Sequence, residues 1–203
     1  MTLYDIKPKF QDLLRPTCNA LARAGVTANQ VTVGAMLLSV ATGTALVLLH
    51  EERWALLLVP VTLFLRMALN AIDGMLAREH DMQSALGGLL NELGDVISDI
   101  ALYVPFGLIA GLAPVVVNAA VVFAVLGEMT GVIAVQIGAS RRYDGPMGKS
   151  DRAFAFGLLA MLIGVGLEPG RWSDAFLAVI ALLAAVTVIN RARAALDELD
   201  QPA

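Results

Sequence analysis

The feature that most constrains this chain is a long uncharged segment near its N-terminal end. No Asp, Glu, Lys or Arg occurs between Arg23 and Glu51. A membrane-spanning helix needs about 20 mostly apolar residues, so this segment is long enough to cross a bilayer. Across the chain, 58% of residues are hydrophobic, 16% are charged and the mean hydropathy is +0.73, which is outside the usual range of soluble domains. We therefore predict an integral membrane protein.

Six segments have the length and apolar composition of membrane-spanning helices. We predict these helices at residues 29–49, 54–77, 86–110, 112–137, 152–167 and 172–190. Together they form a transmembrane domain over residues 29–193, which follows an N-terminal segment at 1–28 and precedes a cytoplasmic tail at 194–203. The predicted fold class is an all-α polytopic membrane protein with six transmembrane helices.

The segment before the first span has the pattern of a surface helix. Phe10, Leu13, Leu14 and Leu21 recur at spacings that form one apolar stripe, while Lys and Arg occupy other positions. Such a helix lies in the membrane interface with its apolar face toward the lipid. We predict an N-terminal amphipathic interfacial helix within residues 1–28. A loosely structured tail is the alternative.

The basic residues are unequally shared between the two ends of the predicted spans. Eleven of the fourteen Lys and Arg residues lie on the side that holds both termini, two lie on the opposite side, and Arg66 lies within a span. Short cytoplasmic loops are enriched in Lys and Arg. We therefore expect a multi-pass protein of the cytoplasmic (inner) membrane with both termini in the cytoplasm.

Net charge and cysteine content exclude several other classes of protein. The net charge is −4, whereas a nucleic-acid-binding protein carries a basic face, so no nucleic-acid partner is expected. Cys18 is the single cysteine, which excludes an internal disulfide and a cysteine-based zinc site.

Polar and ionisable residues cluster in the second predicted span instead of scattering through the chain. Arg66, Asn70, Asp73 and Ala77 are separated by four, three and four residues, which places them on one helix face. Ionisable residues inside a membrane span are costly, and they are candidates for a functional site by default.

The third predicted span carries a second polar face. Gly87, Asn91, Asp95 and Asp99 repeat every four residues, with Glu92 beside them. The connection between the two spans is short, so the helices are antiparallel neighbours whose polar faces can meet. Carboxylate and amide oxygens brought together in this way suit a hard divalent cation, which could in turn hold a pyrophosphate.

These two faces form a spaced motif. Residues 70–78 read N-A-I-D-G-M-L-A-R, eight residues follow, and residues 87–95 read G-G-L-L-N-E-L-G-D. This pattern resembles the signature of the CDP-alcohol phosphotransferases, D-x2-D-G-x2-A-R-x8-G-x3-D-x3-D, with every spacing kept. The A-N-Q-V-T stretch at residues 28–32 also resembles the P-N-x-(V/I)-T of that family. The matching signature positions are Asp73, Gly74, Ala77, Arg78, Gly87 and Asp95.

The resemblance implies the family's reaction, cofactor and partners. Family members displace CMP from a CDP-linked donor, here CDP-diacylglycerol, by attack of an alcohol hydroxyl that leaves a phosphodiester. The implied partners are a CDP-linked lipid donor, a small alcohol acceptor, the lipid bilayer and a second copy of the chain in a homodimer. One or two Mg²⁺ or Mn²⁺ ions would neutralise the diphosphate and stabilise the leaving CMP.

The resemblance also implies roles for individual residues. Asp95 would be the catalytic base that takes the hydroxyl proton. The metal ligands would be Asn70, Asp73, Asn91 and Asp95. The CDP moiety would be bound by Asn29, Thr32, Gly74, Ala77, Arg78 and Gly87.

Two positions depart from the signature, because its first and third aspartates are Asn70 and Asn91 here. An amide oxygen can ligate a metal, but it brings no negative charge to a low-dielectric site. The departures are compatible with a one-metal variant, with a rebuilt site that uses Glu92 or Asp99 as ligands, or with lost activity.

The loop after the fourth span is rich in basic residues. Arg141, Arg142, Lys149 and Arg152 lie within twelve residues, and the start of the next helix adds its dipole. We predict an anion pocket for the acceptor alcohol there. The alternative is that these residues serve only to keep the loop in the cytoplasm.

The sequence leaves two other functions open beside the phospholipid-biosynthetic transferase. One is a non-catalytic relative that binds CDP-lipid and has kept the fold. The other is a transporter of small solutes or ions.

Overall fold

The computed structural model describes residues 3–200, and all regular secondary structure within that range is helical. The α-helices are α1 Leu3–Arg23, α2 Ala28–Leu48, α3 Leu58–Glu79, α4 Ala85–Tyr103, α5 Pro114–Gln136, α6 Lys149–Gly164 and α7 Arg171–Leu199. A short 3-10 helix, Arg53–Leu57, leads into α3, and another, Val104–Leu108, follows α4. The all-α prediction is confirmed for the described residues.

Four of these helical segments are long and apolar enough to cross a membrane. They are Ala28–Leu48, Arg53–Glu79, Pro114–Gln136 and Arg171–Leu199. α6 falls short because it has only 16 residues, and α4 falls short because its 19 residues carry Glu92, Asp95 and Asp99. The prediction of a helical membrane protein is thus supported, whereas the predicted count of six spans is not confirmed.

Several predicted boundaries shift in the structure. The third predicted span ends early, because α4 stops at Tyr103 and a 3-10 helix containing Pro105 follows it; proline cannot donate a backbone hydrogen bond to an α-helix. α6 begins at Lys149, where the backbone N–H of Gly148 donates to Asp151. α7 continues to Leu199, through most of the segment predicted to be a tail.

The N-terminal segment forms a helix, as predicted, and α1 packs against α3. Cys18 is fully buried in a cluster with Ile72, Met75 and Leu76 of α3. An ion pair between Arg15 and Glu79 also joins the two helices. Contact between the apolar stripe of α1 and the lipid remains a prediction.

The remaining helices pack along one another as α2 on α4 and α5 on α7. Aromatic rings fill the centre between them: Tyr103 stacks on Phe156 with ring centroids 4.0 Å apart, and Phe106 meets Phe156 edge-on at 5.4 Å. Gly43 lets α2 approach α4 closely, because a Cβ there would overlap the carbonyl group of Ala101, with the carbonyl carbon at 2.7 Å. Small residues permit such close approaches between membrane helices.

We expect Gly43→Ala to destabilise the protein, because its methyl group has no room between the two backbones. Overpacking of this kind costs about 1–3 kcal/mol, and thermal unfolding in detergent would measure it. Gly34→Ala is the matched control on the same helix, since a Cβ at Gly34 meets no atom within 4 Å. Equal melting temperatures for the two variants would contradict the described packing of α2 on α4.

Candidate active site

A cavity of about 440 Å³ lies between α2, α3 and α4. All six residues that the sequence predicts for the CDP moiety line it: Asn29, Thr32, Gly74, Ala77, Arg78 and Gly87. Three of the predicted metal ligands, Asn70, Asp73 and Asn91, line it as well. The two halves of the motif therefore face one cavity, as the spacing of their polar residues predicts.

The connection between α3 and α4 also contributes to the cavity wall. Met82, Gln83 and Ser84 line it, and the sequence analysis did not single them out. Their position inside the eight-residue spacer of the motif was the available signal, because a short spacer must pass close to whatever its two flanking helices enclose.

Hydrogen bonds join the three helices around the cavity. The hydroxyl of Thr32 donates to Asp73 at 2.8 Å, which links α2 to α3. The side-chain amide of Asn29 donates to the hydroxyl oxygen of Ser84 at 3.4 Å. The same oxygen accepts from the backbone N–H of Gly87 at 2.9 Å and so caps α4. An N-terminal cap satisfies a backbone donor that the helix itself leaves free.

At two positions of the cavity wall, glycine leaves room for neighbouring polar side chains. A Cβ at Gly87 would lie 2.8 Å from the amide oxygen of Asn29 and 3.1 Å from the hydroxyl of Ser84. A Cβ at Gly74 would lie 3.1 Å from a guanidinium nitrogen of Arg78, because that side chain folds back over the glycine. Larger residues at either position would displace these polar groups.

Asp95 lies one helical turn beyond Asn91 on α4 and is not part of the cavity wall. Its Oδ1 atom accepts from Arg66 at 3.3 Å and forms an ion pair with Lys149. The carboxylate is thus held by a side chain from α3 and another from the start of α6.

Glu92 and Asp99 also lie outside the cavity wall, each in contact with arginine. Asp99 is buried, with Arg66 at 3.3 Å and Arg152 at 2.9 Å. Glu92 accepts two hydrogen bonds from Arg141, at 3.0 and 2.9 Å. The predicted metal ligands therefore separate into a group at the cavity and a group paired with cations.

Glu128 of α5 connects these pairs. One of its oxygens accepts from Arg152 and the other from Arg141, both at 2.9 Å, and Arg191 of α7 approaches it at 3.3 Å. We call the connected set the buried ion-pair network; its members are Arg66, Glu92, Asp95, Asp99, Glu128, Arg141, Lys149, Arg152 and Arg191.

Arg191 was not predicted from the sequence as part of this set. Arg191 is a basic residue at the end of the last apolar run. The general enrichment of Lys and Arg in cytoplasmic segments explains such a residue just as well.

The four basic residues predicted to bind an acceptor anion are not all brought together. Arg141, Lys149 and Arg152 belong to the buried ion-pair network, whereas Arg142 pairs with Asp144 at 2.9 Å and Glu198 at 2.6 Å. The Arg142 guanidinium lowers the pKa of the Asp144 carboxyl group through its hydrogen bonds. Within residues 3–200, each of the three arginines is already paired with a carboxylate.

The donor atoms at the cavity fit a hard divalent cation. Asn70, Asp73 and Asn91 offer amide and carboxylate oxygens, the ligands that Mg²⁺ and Mn²⁺ accept. No group of three or more His, Cys, Asp or Glu side chains within the described residues is arranged to hold a metal. A metal at this cavity would therefore require the amide oxygens.

Comparisons with known proteins show the family of this chain and proteins that share its fold. The family model for CDP-alcohol phosphatidyltransferases matches residues 25–190. The inner membrane protein YnbA of Escherichia coli (strain K12) is 46% identical over 196 residues, which cover 97% of each chain.

Solved structures of phosphatidylinositol phosphate synthase PgsA1 from Mycobacterium tuberculosis share the fold. The structure with CDP-DAG bound aligns with a TM-score of 0.76 at 19% identity, over 93% of this chain and 97% of that one. The structure with manganese and citrate aligns with the same TM-score and identity, over 93% and 92% of the two chains. Since the family match spans most of the sequence, the chain belongs to the CDP-alcohol phosphatidyltransferase family.

Proposed function

We propose that this protein transfers a phosphatidyl group from CDP-diacylglycerol to the hydroxyl of an alcohol acceptor, with release of CMP, in phospholipid biosynthesis. The observation that carries the proposal is a single cavity lined by both halves of the motif, with Asp95 one turn beyond Asn91. Family membership supports the transferase class. A relative of the same fold that was solved with CDP-DAG bound supports the lipid donor.

In this proposal the cavity binds the nucleotide and a metal ion. Asn29, Thr32, Gly74, Ala77, Arg78 and Gly87 bind the CDP moiety. Asn70, Asp73, Asn91 and Asp95 would hold Mg²⁺ or Mn²⁺. When bound, the divalent ion neutralises the diphosphate and stabilises the leaving CMP. Asp73 is the one carboxylate of the cavity lining, and Asp95 is already paired with Arg66 and Lys149. So little negative charge favours a single-ion site over a two-ion site.

Asp95 is the proposed general base. The acceptor hydroxyl forms a new P–O bond to the phosphorus that carries the diacylglycerol group, the P–O bond to CMP breaks, and Asp95 takes the hydroxyl proton. Arg66 and Lys149 both contact Oδ1 of Asp95, so they orient the carboxylate. The acceptor alcohol must therefore approach Asp95 from the side of α4 that faces the start of α6.

The two asparagines favour a second candidate function. Asn70 and Asn91 remove two of the four signature carboxylates, which weakens the electrostatic attraction for a divalent ion. A non-catalytic relative that binds CDP-lipid in the same cavity is therefore the alternative. Bound CDP-lipid without CMP release would identify it.

We further propose that α2 to α7 all cross the inner membrane, with both termini in the cytoplasm. The charges of α4 and α6 are paired inside the protein, which offsets part of their cost in a bilayer. The distribution of basic residues sets the orientation, and the name of the relative YnbA supports the inner membrane. The homodimer expected from the sequence stays a prediction.

Cysteine labelling tests this topology. We expect Glu52→Cys and Arg171→Cys to react with a membrane-impermeant thiol reagent from outside, and Tyr143→Cys and Asp200→Cys to remain protected. Cys18 is fully buried, so background labelling is low. Gly145 is unsuitable for labelling because its φ of 116° and a Cβ only 2.7 Å from Thr187 disfavour any side chain. Outside labelling at Tyr143→Cys would contradict six spans.

A CMP-release assay tests the transferase function. Purified protein, CDP-diacylglycerol and Mg²⁺ or Mn²⁺ are incubated with a panel of alcohols. We expect Asp95→Asn to lower CMP release about 10²–10⁴-fold, the usual contribution of a general base, while CDP-lipid still binds. Asp73→Asn should lower both activity and metal affinity.

Asp12→Asn is the matched control for both substitutions, because Asp12 lies exposed on α1 and pairs only at the surface with Arg15. Full activity of either motif variant would refute the transferase proposal.

Restoring the signature tests the role of the two asparagines. We expect the double variant Asn70→Asp, Asn91→Asp to bind Mg²⁺ or Mn²⁺ about tenfold more tightly, because negative charge counts heavily in a low-dielectric site. Isothermal titration would measure the affinity. Asn118→Asp, an exposed position on α5, adds one such charge away from the cavity and should leave the affinity unchanged.

The outcomes of this titration separate the metal-site alternatives. An unchanged affinity in the double variant, together with a loss in Glu92→Gln or Asp99→Asn, would favour ligation by Glu92 or Asp99. No divalent binding in wild type or variants would favour the non-catalytic relative.

A further inference from the structure

The buried ion-pair network leaves Arg152 no free surface for an external ligand. Its Nε and Nη2 atoms donate to Asp99 at 3.0 and 2.9 Å, and Nη2 also donates to Glu128. The remaining nitrogen, Nη1, donates to the backbone carbonyl of Met147 at 3.2 Å. Arg152 is 1% exposed. All three nitrogens of this guanidinium are therefore used within the protein.

Arg141 is satisfied in the same way. Its Nε and Nη2 atoms donate to the two oxygens of Glu92, and Nη2 also donates to Glu128. Its Nη1 atom donates to the carbonyl of Arg142 at 2.6 Å. A guanidinium binds an external phosphate or carboxylate through a free pair of N–H groups, and the partners of Arg141 already take that role.

Glu128 lies where an external anion would have to bind. Its two oxygens accept from Arg152 and Arg141, and Arg191 lies 3.3 Å from one of them. Three guanidinium groups from the α5–α6 loop, α6 and α7 thus converge on one carboxylate. This is the arrangement with which proteins clamp a phosphate, except that the anion is a side chain of α5.

We propose that Glu128 serves as a built-in anion that fills this clamp, so that the acceptor is an alcohol without a phosphate group. This inference rests on the proposed transferase function. A phosphate monoester carries about −1.5 to −2 charges at pH 7. To reach the arginines it would have to displace Glu128 and leave that carboxylate buried without a partner, which is strongly unfavourable.

Lys149 is the basic residue of the network that can still contact an acceptor. Its side chain is 35% exposed, more than that of any other cation of the network, and it contacts Asp95. An ammonium has three N–H donors, so Lys149 can donate to an acceptor hydroxyl or carbonyl while it orients Asp95. A single point charge does not replace the planar, bidentate contacts with which guanidinium groups hold a phosphate.

Paired acceptors test the substrate class. Wild-type protein, CDP-diacylglycerol and Mg²⁺ are incubated with glycerol or glycerol 3-phosphate, and with inositol or inositol phosphate. We expect CMP release to be about tenfold or more faster with the unphosphorylated member of a pair, given the cost of like charges in contact. Faster release with a phosphorylated member would overturn the inference while leaving the transferase function intact. No CMP release with any alcohol would instead overturn the transferase function, and the acceptor assignment with it.

A binding measurement tests the filled clamp without relying on activity. Inorganic phosphate should leave the melting temperature of the wild type unchanged. Glu128→Gln should create a phosphate site, with stabilisation of about 3 °C at ten times the dissociation constant. Glu168→Gln is the matched control, because Glu168 pairs with Arg53 in an exposed ion pair. Phosphate stabilisation of the wild type equal to that of Glu128→Gln would overturn the inference.

A second variant covers the case in which Glu128→Gln does not fold. Glu92→Gln removes the charge of a partly exposed carboxylate and one of its two acceptor oxygens, and so frees an N–H group of Arg141. We expect phosphate to stabilise Glu92→Gln more than it stabilises the wild type. The absence of any response in Glu92→Gln, with the wild type stabilised by phosphate, would overturn the inference as well.

Discussion

Pairing of charge inside an apolar helical bundle is the interaction on which the rest of this structure depends. A buried carboxylate or guanidinium is costly unless a partner of opposite charge and hydrogen bonds compensate it. Arg152 pairs with both Asp99 and Glu128, and all three residues are buried. Because these residues come from three different helices, their pairing fixes how α4, α5 and α6 meet, and the same contacts bring Lys149 to Asp95.

The cavity and the buried ion-pair network differ in the chemistry of their side chains. The cavity between α2, α3 and α4 is lined by amides, hydroxyls, small residues, the Asp73 carboxylate and the Arg78 guanidinium, which suits a nucleotide and a hard cation. The network beyond it is made of acidic and basic side chains joined in ion pairs. Asp95 is the member of the network that links it to the cavity, because it lies one turn from Asn91 of the cavity and pairs with Lys149.

Much of the cavity could be predicted from the sequence, because helical spacing alone aligns Asn70 with Asp73 and Asn91 with Asp95. A short connection between two spans then brings the faces together. The ion pairs could not be predicted in the same way: Arg152 and Asp99 are 53 positions apart, and no local pattern selects that carboxylate over Glu92. The ends of the helices could not be predicted either, because α4 ends at Tyr103 within a continuous apolar run.

The separation of Asp99 from Arg152 along the chain has a consequence for biogenesis. A nascent membrane protein emerges N-terminal end first, so in the proposed six-span topology α3 and α4 would enter the bilayer before α6 is made. During that interval Asp99 can pair only with Arg66, its neighbour on α3. Asp99 thus has a partner of opposite charge within the hairpin of α3 and α4. Glu128 on α5 has none until Arg141, Arg152 and Arg191, which follow it in the sequence, have been synthesised.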